Sequence, residues 1–286
     1  MTGTIGRRRR LSRRQRTTLL ANLAGLLVFV VLMFPAYWMV ATAFKPGRDV
    51  LRLSPQWFPV NATLANFIDA IGRPFFLEDA RNSVVITLSA LAISIAVAFL
   101  AAVAVARFGF RGRAAFVIII IAVQMIPLTA LIIPLYLLLD KVGQTDTLTG
   151  VILTYLILVL PFMVWTLRGF IINVPVELEE AAQIDGCTRF GAFMRVLFPL
   201  VAPGLVATSM FGFIQAWSEY IMAYVLLNSQ EKQTLSVWLA SFTTQHGTDW
   251  GPLMAGATLT AIPVVVFFLI VQRNVVTGLT AGAVKG

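Results

Sequence analysis

The sequence predicts an all-α integral membrane protein with six transmembrane helices. Charged residues make up only 12% of the chain and hydrophobic residues 58%, against about 25% charged in ordinary soluble domains. The mean hydropathy is +0.85. The apolar residues also fall into separate runs, each about 20 residues or longer, enough for a helix to cross a hydrocarbon layer of about 30 Å.

Residues 1–17 form a basic tail containing Arg7 to Arg10, Arg13, Arg14 and Arg16, which hold most of the net charge of +9. Beside an apolar run, such a cluster orients a first span rather than binding a polyanion, so nucleic acid is not an expected partner. The next run, 18–44, is far longer than the 7–15 apolar residues of a cleavable signal and is read as the first span, centred on 19–43. A loop over 45–81 follows, with aromatic and proline punctuation at Pro55, Trp57, Phe58, Pro59 and Pro74 to Phe76. Five further spans make up a core over 82–275, at 82–106, 114–139, 150–172, 200–227 and 252–275. Pro127 and Pro134 are expected to bend or loosen the third span. Residues 276–286 form a second tail.

Lysine and arginine bias in the short connections sets the orientation. Arg107, Arg111 and Arg113 lie between the second and third spans, whereas Lys141 and Lys232 stand alone in the connections on the other side. Both termini and the connection between the fourth and fifth spans are therefore expected to be cytoplasmic.

That last connection, 175–199, breaks the apolar pattern. It gathers Glu177, Glu179, Glu180 and Asp185 in a chain with only 13 acidic residues. Its pattern reads as two short helices joined by a sharp turn. Pro175 suits a first helical position, and the glutamates favour the positive end of the helix dipole. Gly186 takes the positive φ that ends the helix, and Thr188 caps the second. There Phe190, Phe193, Met194 and Leu197 share one apolar face, before Pro199 and Pro203 break the path to the fifth span. Ala181, Ala182 and Gly186 leave a surface short of side-chain bulk, with the Glu180 carboxylate beside it for a partner's arginine or backbone donor. On these residues alone, a docking surface and a passive solvated loop are equally good readings.

Glu180-Ala181-Ala182, Gly186 and Pro199-Leu200 resemble the EAA loop of permease subunits in binding-protein-dependent ABC importers. Cys187 stands where alanine is usual and Phe198 where leucine is frequent, and both keep apolar character. Ile133-Pro134-Leu135-Tyr136, Leu160-Pro161-Phe162, Arg168-Gly169-Phe170 and Trp217-Ser218-Glu219-Tyr220 are similar to segments of sugar-type permeases. The ending Gly278–Gly286 resembles the smaller membrane subunit of maltose and trehalose importers. The resemblance implies a type I importer fold, in which the loop is a coupling helix seated in a cytoplasmic ATPase. By position, Glu179, Glu180, Ala181, Ala182, Asp185, Gly186 and Pro199 become the ATPase-coupling residues. It also implies a second related permease subunit, two ATP-binding cassette subunits, an external solute-binding protein and a bacterial or archaeal cytoplasmic membrane. Loop 45–81 is then expected to face the binding protein, and Lys285 to approach the ATPases.

The chain contains no Gly-x-x-x-x-Gly-Lys-Ser/Thr loop, so ATP and Mg are expected on the partner subunits and the chain itself is read as non-catalytic. A charge inside a span costs about 2.5–3.5 kcal/mol unless it meets partners or a watery cavity. Glu219, expected in the middle to outer part of the fifth span, is thus either a lining of the translocation path or a helix-to-helix anchor. Gln124, Gln215 and Trp217 are the other path candidates, packing against lipid or a neighbour being the favoured reading of Trp217. His246 is the sole histidine and Cys187 the sole cysteine, so no metal site is expected.

The expected substrate is a sugar, first a di- or oligosaccharide such as trehalose or a maltose-like sugar. Glycerol phosphodiesters and amino sugars are the alternatives. An ion-coupled carrier would have to rest on Glu219 alone, and a membrane-embedded enzyme would need paired aspartates or Ser/His pairs that no spacing here supplies.

Overall fold

The computed structural model describes residues 13–283. Arg7 to Arg10 and Lys285 lie outside the described residues, as do the side chains of Arg13 and Arg16. The chain divides into two compact units, one of residues up to Asp69 with Asp249–Thr258, the other of Ala70–Thr248 with the residues from Leu259 onward.

In the first unit, α1 (Arg13–Ala43) is a long apolar helix whose residues Leu19 to Val40 are largely exposed, as befits a span meeting lipid. The chain after it folds back on its end through α2 (Gly47–Val50) and α3 (Ala65–Ile71). Asn66 donates to the carbonyls of Ala43 and Lys45, at 2.8 and 2.7 Å, and the Tyr37 hydroxyl donates to the Trp57 carbonyl at 2.6 Å. The Lys45 ammonium lies 3.9 Å from the centre of the Trp38 ring; burial there lowers its pKa.

The second unit is organised by α4 (Phe76–Arg107), α7 (Leu148–Ile172) and α10 (Phe198–Trp217). Their buried faces carry Ile86, Ala90, Ala98 and Ala102 from α4, Tyr155, Val159, Met163 and Leu167 from α7, and Val201, Ala207 and Ala216 from α10. Small residues allow the close approach that membrane helices use in place of a water-driven hydrophobic effect. At Gly212, a Cβ would stand 3.2 Å from each of Leu91, Met163 and Val159, so any larger residue must push neighbours apart.

Around this core lie α5 (Arg113–Gln124) and α6 (Leu128–Lys141). The acidic segment 175–199, expected to be the coupling segment, contains α8 (Glu177–Ile184) and α9 (Arg189–Ala192). Beyond α10 follow α11 (Ile221–Leu226), α12 (Leu235–Ala240), a two-residue strand pair β1 (Thr243–Thr244) with β2 (Gly247–Thr248), and α13 (Trp250–Ala283).

Among the described residues, five helices are each long and apolar enough to cross a membrane: Thr17–Ala43, Phe76–Arg107, Leu148–Ile172, Arg189–Trp217 and Trp250–Gln272. The third expected span, 114–139, is not one helix. It is broken into α5 and α6, which meet at 102°. The break falls at Met125–Pro127, where the Met125 and Ile126 amides turn back to the carbonyls of Ala122 and Val123 at 3.0 and 3.2 Å. Proline pushes the preceding residue out of the helical region and lacks the N–H the helix would need next.

The fifth expected span differs at both ends. Pro199 and Pro203 do not interrupt it, because helical backbone runs from Arg189 to Trp217. A π-turn at Phe193–Leu197, in which the Phe198 amide reaches the Phe193 carbonyl, lies just ahead of Pro199. The wider turn relieves the clash of a proline ring with the carbonyl four residues back. At the far end the helix stops at Trp217, and α11 begins only at Ile221.

Candidate functional site

The two helix breaks face one cavity. It measures about 450 Å³ and is lined by the end of α5, the start of α6, the middle of α7, and the Gln215–Glu219 region. Its walls are mostly apolar (Val123, Ile126, Leu131, Ile157, Phe162), with Gln124, Gln215 and Glu219 as its polar side chains. Three of the four path candidates therefore converge, from elements far apart in sequence.

Trp217 does not line this cavity. It is buried, stacks on Phe213 with centroids 5.7 Å apart, and its indole N–H donates to the Thr260 carbonyl at 3.0 Å. Its contacts tie α10 to the part of α13 in the same unit.

Glu219 sits in the break rather than within a helix. Its carboxylate accepts hydrogen bonds from the amides of Met222, at 2.9 and 3.2 Å, and Ala223, at 3.2 Å, so it caps the N-terminus of α11. The free N–H groups and partial positive charge of a helix start offset the cost of burying a carboxylate. Only 9% of Glu219 is exposed. The Tyr155 hydroxyl donates to its main-chain carbonyl at 3.2 Å, pinning the break against α7.

In the coupling segment, α8 carries all three glutamates in its first turn, and Gly186 follows with φ +92°. Gly186 needs that conformation, which side-chain-bearing residues rarely adopt. Thr188 caps α9, accepting from the Gly191 amide at 3.0 Å. The expected apolar face divides: Leu197 is buried and Phe193 packs on Phe99 at 5.5 Å, whereas Phe190 is 72% exposed.

The glutamates also divide. Glu179 accepts from Arg107 Nε at 2.7 Å, and the same guanidinium donates to the Val174 carbonyl at 2.9 Å. Glu179 thus holds the segment to the end of α4. Glu180, Ala181, Asp185 and Gly186 are exposed and Ala182 is half-buried. Beside them stands Ile184, 86% exposed, a large apolar side chain that the sequence pattern did not single out. Pro199 is exposed at the start of α10.

Sequence reasoning also missed Asp146. It has φ +54° and lies between α6 and α7. Its carboxylate accepts from the amides of Asn228 and Ser229, both at 2.9 Å, from the Ser229 hydroxyl at 2.6 Å and from Lys232 at 2.8 Å. The bond from Lys232 and those from Ser229 hold its pKa well below the usual carboxylate range. Asn82, at the same end of α4, donates to the carbonyls of Glu231 and Gln233. The only signal in the sequence was an aspartate between two threonines in a short connection.

Residues 94–280 match the family of binding-protein-dependent transport system inner membrane components. The chain is 44% identical to the diacetylchitobiose uptake system permease protein of Streptomyces coelicolor, over 93% of this chain and 96% of that one. It is 34% identical to the sulfoquinovosyl glycerol transport system permease protein of Agrobacterium fabrum, over 92% and 93%. Identity to the arabinooligosaccharides transport system permease protein of Halalkalibacterium halodurans is 31%, over 90% and 92%. A crystal structure of a bacterial ABC transporter for alginate import shares the fold, with a TM-score of 0.74 at 22% identity over 93% of this chain and 99% of that chain. The chain belongs to the binding-protein-dependent transport system inner membrane components: it is a multi-pass, non-catalytic permease subunit of an ABC transporter, whose ATP is bound by partner ATPases.

Proposed function

We propose that the chain forms one half of the translocation path of an ATP-driven importer of short oligosaccharides. In this reading, a second related permease completes the path, two ATP-binding cassette subunits dock on the segment 175–199, and an extracytoplasmic binding protein delivers the sugar. The membrane is the bacterial or archaeal cytoplasmic membrane, with both termini on the cytoplasmic side.

The convergence of Gln124, Gln215 and Glu219 on one otherwise apolar cavity carries the reading. Sugars present hydroxyls that both donate and accept, together with apolar ring faces. Two carboxamides, a carboxylate and apolar walls match that mixture. The Glu219 carboxylate already accepts from two amides, so its share in the path is to hold the break open and leave a remaining lone pair to the solute. A glycerol phosphodiester fits this half less well, because the lining contains a carboxylate and neither lysine nor arginine. An amino-sugar disaccharide is favoured within the class, since the 44% identical relative is an uptake permease for diacetylchitobiose.

In the coupling segment, Glu179 fixes the elbow, while Glu180, Ala181, Ala182, Ile184, Asp185 and Gly186 offer the ATPase a flat surface with a carboxylate at its side. Closure of the ATPases then moves the segment, and with it the helix from Arg189 to Trp217 whose far end reaches the cavity.

The test is uptake of radiolabelled diacetylchitobiose and maltose by the complete transporter in proteoliposomes. Gln124→Leu and Gln215→Leu are expected to lower the transport rate about 2- to 12-fold each, the loss of about one hydrogen bond, with the complex still assembled. Unchanged uptake in the double variant would overturn the role of this cavity.

A further inference from the structure

We propose that a groove beside the start of α5 binds the phosphate headgroup of an anionic membrane lipid. The groove measures about 810 Å³ and is lined by Phe110, Arg113, Ala114, Val117, Ile118 and Arg168, among others. It lies at the same end of the second unit as the coupling segment. Arg168 is four residues from the end of α7, and α5 starts six residues after Arg107, which holds Glu179.

The two arginines are not used by anything already described. Neither forms an ion pair among the described residues. The Nε of Arg168 is buried without a hydrogen-bond partner, and its guanidinium lies 5.6 Å from the centre of the Trp165 ring. This side chain is therefore held against the protein rather than extended into water. The Nε is closed to solvent, so the part of the guanidinium that lines the groove, and that has no hydrogen bond or ion pair within the described residues, is what stands open to an acceptor from outside the chain.

The rest of the groove selects the kind of acceptor. Gly112 offers no capping side chain to α5 and the first turn contains no acidic residue, so the positive end of the helix dipole adds to the potential beside Arg113. The other wall residues are apolar, and Ile118 is 65% exposed. Arginine forks suit phosphate oxygens, and an apolar wall running from a basic end into the span suits an acyl chain. Basic pockets between membrane helices at the interface are a recurring way of holding acidic headgroups. A soluble phosphate ion would use the arginines but not the wall.

The experiment uses the complete transporter, delipidated in detergent and titrated with phosphatidylglycerol, with bound lipid counted by native mass spectrometry. Phosphatidylcholine and inorganic phosphate are the parallel probes. Phosphatidylglycerol is expected to bind tightly to wild type, with affinity falling roughly fivefold for Arg113→Gln or Arg168→Gln and about 25-fold for both, near one interfacial charge each. Phosphatidylcholine is expected to bind weakly and equally to all four proteins. The proposal is overturned if the double variant keeps wild-type affinity, if phosphatidylcholine falls in parallel, or if inorganic phosphate displaces the lipid at equal concentration. Cross-links from a cysteine at Ile118 to the partner permease in the native membrane would also overturn it, since protein and not lipid would then fill the groove. Retained ATPase subunits and an unchanged melting temperature show that the variants have folded.

Discussion

At one end of the second unit, Asp146 draws Asn228, Ser229 and Lys232 onto a single carboxylate while Asn82 holds the neighbouring carbonyls. At the other, Glu179 meets Arg107 alone, and Glu180, Ile184, Asp185 and Gly186 stay exposed. One end holds the Asp146 charge with partners from within the chain; the other fixes one point and leaves its remaining surface open. The contrast separates connections that close a structure on itself from a segment whose open surface suits the docking proposed above. It also explains why a run of acidic residues in the sequence is not one site: Glu179 anchors, and Glu180 is presented.

The largest effect is expected at the open end. Gly186→Asp forces a side chain onto a φ of +92° and adds charge to the flat patch. ATP-driven uptake is expected to fall to background while the protein still inserts, as checked by transport and membrane fractionation. Normal coupled transport by this variant would break the distinction between the two ends.

At the closed end, Asp146→Ala is expected to lower stability by about 2–3 kcal/mol, since hydrogen bonds to a charged acceptor are worth about 1.5–3 kcal/mol each. Lys232 is 41% exposed at its side chain, so solvent screens its share and most of the loss comes from the Asn228 and Ser229 donors. A melting curve in detergent tests this. The pH dependence sharpens it. A carboxyl whose pKa is depressed on folding contributes fully above the ordinary aspartate value of about 3.9 and loses that contribution as pH falls through its lower folded value. The gap in melting temperature between wild type and Asp146→Asn should therefore stay constant from pH 7 to about 5 and narrow only in stronger acid. A gap that closes near neutrality would assign it to another group.

The smallest effect is expected at the anchor. Glu179→Gln removes the charge of a mostly buried pair but retains an acceptor for Arg107, which limits the loss to about 1 kcal/mol, the difference between a charged and a neutral hydrogen bond. Uptake is expected to fall by about twofold or less. A loss as complete as that of Gly186→Asp would show that anchor and docking surface are not separable.

Much of this was legible because the membrane writes strong signals. Apolar runs gave the spans, arginine bias the sidedness to test, and Gly186 with Thr188 the turn and cap later seen in the coupling segment. What was not legible depended on contacts between distant residues. Pro127 marks a bend in the sequence, but a proline alone does not tell how far the chain turns, here 102°. Glu219 was weighed as a charge inside a span, because nothing local announces that the helix stops at Trp217. Once it stops there, the same carboxylate becomes a cap for α11. Ile184 escaped notice because an isoleucine is unremarkable in an apolar chain until its surface is found open. Asp146 escaped because its partners lie more than 80 residues away.

The most direct test of the open end is a cysteine at Ile184, in a Cys187→Ser chain, within the assembled transporter. The expected result is cross-linking to the ATPase subunits with loss of uptake, and no labelling of intact cells by an impermeant maleimide. Labelling from outside, or a cross-link-free ATPase in an actively transporting complex, would contradict it.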